Sequence, residues 1–104
     1  MRYDTPIYFQ KIIPGQYDQD TGDYADDIIL ETKKYASIMD TGTEIMRLVY
    51  GSIRQGSKTI QLQTPYRAAF DFIRIGGKVY GVDYERQPSM KQVFVVSEVQ
   101  DGRT

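Results

Sequence analysis

The sequence predicts an all-β domain, a small five- or six-stranded barrel with one short helix. β-Branched and aromatic residues are abundant, with nine tyrosines and four phenylalanines among 104 residues. Turn signals built on Gly, Pro and Asp interrupt the chain at short intervals. Only the segment from Asp40 to Gly51 has helical rather than alternating spacing. Barrel closure is the expected arrangement because it removes exposed sheet edges.

The first strand is "PIYFQKII", Pro6 to Ile13, closed by Pro14-Gly15. A long strand runs from about Asp27 to Met39, with Ile28, Leu30, Ala36 and Ile38 on one face and Ile29, Tyr35 and Met39 on the other. Lys33 and Lys34 interrupt that alternation, where the strand is expected to bend or to reach an edge. A helix is predicted over Thr43 to Tyr50: Thr41 or Thr43 as cap, Glu44 in the first turn, Ile45, Leu48 and Val49 at helical spacing, Gly51 at the end. A turn at Gln55 to Ser57 leads to a strand over Lys58 to Thr64. "AFDFIRIGGKVYGVDYE" reads as a hairpin turning at Gly76-Gly77, "MKQVFVVSEV" as the last strand, and residues 100–104 as a frayed tail. The whole is one domain with an ordered core of about residues 7–99, without repeat or linker. Most Tyr and Phe are expected in the core or at its rim.

Composition narrows the chemistry. Zero cysteines remove thiol nucleophiles, zinc-thiolate sites and disulfides, and zero histidines remove the commonest general base and metal ligand. The serines have no histidine to activate them, and "GSIRQGSK" fails the phosphate-loop spacing because Ser57 stands before Lys58. The expectation is a protein that is not an enzyme and needs no cofactor. No stretch approaches the roughly 18 continuous apolar residues of a membrane helix, so a soluble protein made in the cytoplasm, with no membrane partner, is expected.

Charge is segregated. Residues 1–31 hold seven acids and two bases, net −5, whereas residues 32–104 hold seven acids and eleven bases, net +4. Most of the acidity lies in "YDQDTGDYADD", Tyr17 to Asp27, with five aspartates in eleven residues. As an EF-hand starting at Asp18 it fails: position 5 is Gly22, position 6 is Asp23 and position 12 is Ile29, so the turn glycine is displaced and the last ligand is missing. Turn chemistry fits better, with Asx side chains bonding the backbone and Gly22 supplying a positive φ. Unpaired carboxylates resist burial, so the turn must project into solvent or onto a cationic partner. The expected sites are therefore for docking, with no catalytic, cofactor or metal residues.

The order of segments carries a resemblance. An opening strand, "YDQDTGDY", a strand ending "ASIMDTGTE", then "RLVYGSIRQGSKTIQLQTPY", "FDFIRIGGKVYGVDYERQP" and "VFVVSEV" together resemble the small head-closure proteins of long-tailed bacteriophages, also called stopper or head-tail connector proteins. The likeness spans about Ile7 to Val99, and its specific pieces are the D-x-x-TG-x-Y turn, "YGSIRQGSKTIQL" and "YERQP". It implies a β-barrel virion protein, made in the bacterial cytoplasm, that forms a ring, commonly dodecameric. The ring sits beneath the portal and its adaptor ring, closes the channel after DNA packaging, and presents its lower surface to a tail-completion protein.

In such a ring Asp18, Asp20, Asp23, Asp26 and Asp27 would dock on a neighbouring ring or subunit, with Lys33 and Lys34 as a basic counterpart across a heterologous contact. The segment Thr41 to Lys58, with Arg47, Arg54 and Lys58, is the candidate lumenal loop in incidental contact with packaged DNA. Two rival readings stand beside this one. A tail-terminator or tail-completion protein is of similar size. A single-stranded nucleic-acid-binding barrel would use Arg47, Arg54, Lys58, Arg67, Arg74 and Lys78 among Tyr50, Tyr66 and Tyr80, but the pI near 5.3 lacks a strongly basic footprint.

Overall fold

A computed structural model describes residues 2–52, 56–87 and 91–99. The strands are β1 (Thr5–Ile13), β2 (Tyr17–Asp18), β3 (Asp23–Tyr24), β4 (Ile28–Asp40), β5 (Lys58–Leu62), β6 (Phe72–Ile75), β7 (Lys78–Arg86) and β8 (Gln92–Glu98), with helix α1 (Thr43–Tyr50) between β4 and β5. Six of the strands close an antiparallel barrel in the order β1-β4-β5-β8-β7-β6, and β6 returns to pair with β1. The predicted fold class is the observed one. Among the described residues, no helix is long and apolar enough to cross a membrane.

Alternation builds the core. Ile7 and Phe9 of β1, Ala36 of β4, Ile60 and Leu62 of β5, Ile73 of β6, Tyr80 of β7, and Phe94 and Val96 of β8 form one buried cluster. Phe9 stacks on Tyr66 at 4.0 Å between ring centroids and meets Phe70 and Phe94 edge-on at 4.8 and 5.9 Å. Tyr66 and Phe70 lie in the connection before β6 and close that side of the core. Most Tyr and Phe are buried or half-buried, as expected, and Tyr17, Tyr24, Tyr35 and Tyr84 are the exposed ones.

Other boundaries shift for local reasons. β5 stops at Leu62 rather than Thr64 because its pairing with β8 ends at Leu62↔Gln92. α1 spans the predicted residues, but its N-cap is Gly42, without a side-chain cap bond. Thr41 is turned into the barrel wall instead, where its hydroxyl meets those of Ser57 at 2.8 Å and Thr59 at 3.1 Å. Gly51 closes the helix in the left-handed region at φ 76°, its N–H donating to the Arg47 carbonyl. Gln55, Arg54 and the predicted tail over 100–104 lie outside the described residues.

A bulge in β7 matters most for the surface. Val82 pairs with Val96 and Tyr84 with Val95, so Asp83 is an extra residue between them. The insertion reverses the in-out order: Tyr80 points into the core, whereas Tyr84 and Arg86 face outward beside α1, and Glu85 accepts a hydrogen bond from buried Gln92 at 2.6 Å.

Candidate functional site: an acidic hairpin arm

β1 and β4 are longer than the barrel they help to close. They pair without a break from Thr5↔Ala36 to Ile13↔Ile28, but β6 flanks β1 only at Tyr8 to Gln10, and β5 flanks β4 only from Ser37 onward. Beyond Gln10↔Glu31 the two strands continue as a ribbon, which β2 and β3 extend through Tyr17↔Tyr24 and Asp18↔Asp23. The molecule is elongated, with extents of 54, 29 and 22 Å along its principal axes.

The tip is built from turn chemistry, as its residues predict. The Asp18 carboxylate accepts from Asp20 N–H at 2.9 Å, the Asp18 carbonyl accepts from Gly22 N–H at 2.8 Å, and Gly22 has φ 76°. Asp27 serves the ribbon, its carboxylate accepting from Gly15 N–H at 2.9 Å, while Ala25 N–H donates to the Gln16 carbonyl at 2.8 Å. Across the hairpin the Tyr17 and Tyr24 rings sit 5.1 Å apart. All five aspartates, Asp18, Asp20, Asp23, Asp26 and Asp27, are exposed. Among the described residues, no three acidic side chains are grouped as metal ligands.

The root of the arm is held by polar contacts. Arg74 on β6 reaches over β1 to Glu31 on β4, Nε to Oε2 at 2.7 Å and Nη2 to Oε1 at 3.1 Å, and its guanidinium lies 4.1 Å from the Tyr8 ring centroid. Gln10 adds a bond to Glu31 at 2.8 Å. The Arg74 guanidinium, aided by Gln10, pulls the Glu31 carboxyl from its ordinary 4.5 down to about 2. Asp71 caps the free edge of β1 by accepting from Ile12 N–H at 2.7 Å.

The other predicted site residues are dispersed. Lys33 and Lys34 lie on the stretch of β4 that lacks β5, which agrees with the expected edge, but the strand does not bulge there. As consecutive strand residues they point to opposite faces, Lys33 exposed over the Tyr35 ring at 5.1 Å and Lys34 half-buried, so they do not form one basic patch. Arg47 is exposed on α1. Lys58 is a strand residue rather than a loop residue, and its ammonium meets Asp40 at 2.6 Å, which raises its pKa. Arg54 lies outside the described residues. The residues that a nucleic-acid surface would use are scattered or occupied: Arg74 is paired with Glu31, Lys58 with Asp40 and Lys78 with Glu98, and Tyr80 is buried.

Two features escaped the sequence reading. Ile13, Ile28 and Leu30 are 40%, 55% and 51% exposed on the arm. They share one face, because Ile13 sits opposite Ile28 and Leu30 follows two residues on. By the same alternation this face, which Lys11 shares opposite Leu30, continues that of Ile7 and Phe9, so the core-facing stripe runs on past the barrel with no opposing wall among the described residues. The second feature is a groove of about 360 Å³ between α1 and the barrel wall, lined by Ile45, Leu48, Val49, Tyr84, Val93 and Val95 among others. The run "IIL", Ile28 to Leu30, beside an acidic turn was the available signal for the first, and the bulge at Asp83 hid the second. Comparison of the chain with family models, curated proteins and solved structures finds no match.

Proposed function

We propose that this chain is a structural protein of a phage head-tail connector, which closes the portal channel after DNA packaging and offers the tail its attachment surface. A closed barrel alone serves many functions, so the reading rests on the resemblance in segment order and on one observation, the arm. A rigid barrel that carries a long ribbon with five exposed aspartates at and behind its tip is suited to reach a neighbouring ring. In this role the arm docks on a cationic surface of the portal-adaptor ring. The α1 segment, with Arg47, faces the channel, and copies of the chain associate laterally. No turnover or cofactor is involved.

The test is electron microscopy of lysates from a phage that carries this gene, with the gene deleted. Heads that have lost their DNA beside separate tails of normal length are expected. Stable full heads beside over-long or unfinished tails would assign the protein to tail completion instead, and intact infectious particles would overturn the structural reading.

A further inference from the structure

An exposed aliphatic stripe and an exposed apolar groove on one small chain pose the same physical problem twice. A two-stranded ribbon is marginal in water by itself, yet this one presents Ile13, Ile28 and Leu30 to solvent. On α1, Leu48 is 85% exposed and Ile45 is 42% exposed, no residue of the helix is buried, and Ile45, Leu48 and Val49 line a groove with Tyr84, Val93 and Val95 of the barrel wall. Among the described residues, the groove beneath is lined by apolar side chains with Thr59, Tyr84 and Arg86, and Arg86 is the charged one. On the arm, Asp26 and Asp27 immediately precede Ile28.

The two surfaces lie toward opposite ends of β4. The stripe begins at Ile28, and α1 follows Asp40, twelve residue steps further on. At roughly 3.3 Å per residue that separation is about 40 Å of strand. A chain with complementary patches at its two ends satisfies them head to tail with other copies, giving a ring where the rotation closes and a filament where it does not.

We propose that the Ile13, Ile28 and Leu30 stripe of one copy seats in the groove formed by Ile45, Leu48, Val49 and Tyr84 of the next, with Arg86 of the groove meeting Asp26 of the arm. The inference rests on the lateral self-association in the proposed function and supplies the contact that would make it. It also leaves Arg47 free to face the channel, because a 100° step per residue puts Arg47 on the far side of the helix from Ile45 and Val49. The acidic tip beyond the stripe stays available for a different ring.

Disulfide trapping tests this directly, since the chain contains no cysteine. Purified Leu30→Cys and Leu48→Cys proteins, both altered at exposed positions and checked for an unchanged circular dichroism melt, are mixed at high concentration and oxidised. The expected result is a mixed dimer in clear excess over either homodimer, and a ladder of multimers or a closed ring from the double variant. Arg86→Glu in the Leu48→Cys partner should lower the mixed-dimer yield by roughly threefold to tenfold, as loss of a charge contact does. Asp26→Lys in the Leu30→Cys partner should restore it. Absence of a mixed dimer, a dominant Leu30→Cys homodimer, or a mixed dimer indifferent to both charge changes would each overturn the contact. Because the readout uses purified protein, it is independent of the head phenotype: either result can fail while the other stands.

Discussion

Arg74 donates to Glu31 at 2.7 Å across an intervening strand, so that β6 and β4 are clasped over β1 where the arm leaves the barrel. Tyr8 lies under the guanidinium and Gln10 supplies a further donor. The clasp makes stability depend on pH with a definite sign. A carboxylate whose pKa is lower in the folded than in the unfolded chain stabilises the fold fully above its unfolded value, and loses that contribution as pH falls toward the folded one. For Glu31 the window runs from 4.5 down to about 2. The pair is partly exposed, so solvent screening holds its contribution to about 1 kcal/mol or less. Urea midpoints measured at pH 6 and pH 3 should therefore fall in the native chain, and the fall should be smaller in Glu31→Gln.

Phe94 is fully buried and touches Phe9 and Phe70 edge-on. Phe94→Ala removes most of a ring from the centre of the aromatic cluster, and core truncations of this kind cost about 3–5 kcal/mol. Against a typical total stability of about 5–15 kcal/mol, that leaves a marginal or unfolded barrel. Equilibrium urea unfolding followed by tyrosine fluorescence measures it.

Asp83 ties the bulge to the helix. The Tyr50 hydroxyl donates to its carboxylate at 2.5 Å and lies 3.3 Å from the Ser57 hydroxyl, and partial burial together with Asp83 raises the Tyr50 pKa. Tyr50→Phe should cost about 1–2 kcal/mol by leaving these partners short of a bond. The loss should appear locally, as faster amide hydrogen exchange in α1, because no residue of the helix is fully buried.

Gly15 faces the other strand of the arm so closely that an added Cβ would overlap the Ala25 carbonyl. Gly15→Ala should therefore splay the ribbon while the barrel, which lies beyond Gln10, keeps its melting midpoint. Limited proteolysis should cut the variant between residues 14 and 27 faster than the native chain, and calorimetry should show a nearly unchanged main transition.

Asp20 and Asp23 project from the tip without packing against the barrel. Exposed substitutions of this type change stability by about 0.5 kcal/mol or less. Asp20→Lys with Asp23→Lys should melt like the native chain and fail to attach to isolated connector complexes in a sedimentation assay. Full attachment would remove the tip from the docking role.

The elements themselves were legible in the residues because each depends on neighbours in sequence. β-Branched and aromatic runs such as "IYFQ" and "VFVV" marked strands, the Thr-Gly pair marked the acidic turn, and the 3.6-residue spacing of Ile45, Leu48 and Val49 marked the helix. Barrel closure followed from strand number and the need to hide edges. Cap choice was less legible, since Thr41 can bond either a helix terminus or another hydroxyl, and Ser57 won because β5 brings it to 2.8 Å.

By itself, then, the sequence determined which residues alternate, where the chain turns and on which face Ile28, Leu30, Ala36 and Ile38 lie. Only the tertiary structure decided that Ala36 is buried while Ile28 and Leu30 stand in solvent, because a side chain is buried by the wall opposite it, and β5 meets β4 only from Ser37 onward. It likewise decided that Tyr84 faces a groove instead of the core, because one inserted residue, Asp83, reverses a period of two for every residue after it. Periodicity is a local property of the chain, whereas the surface available for docking depends on where the strands stop having neighbours.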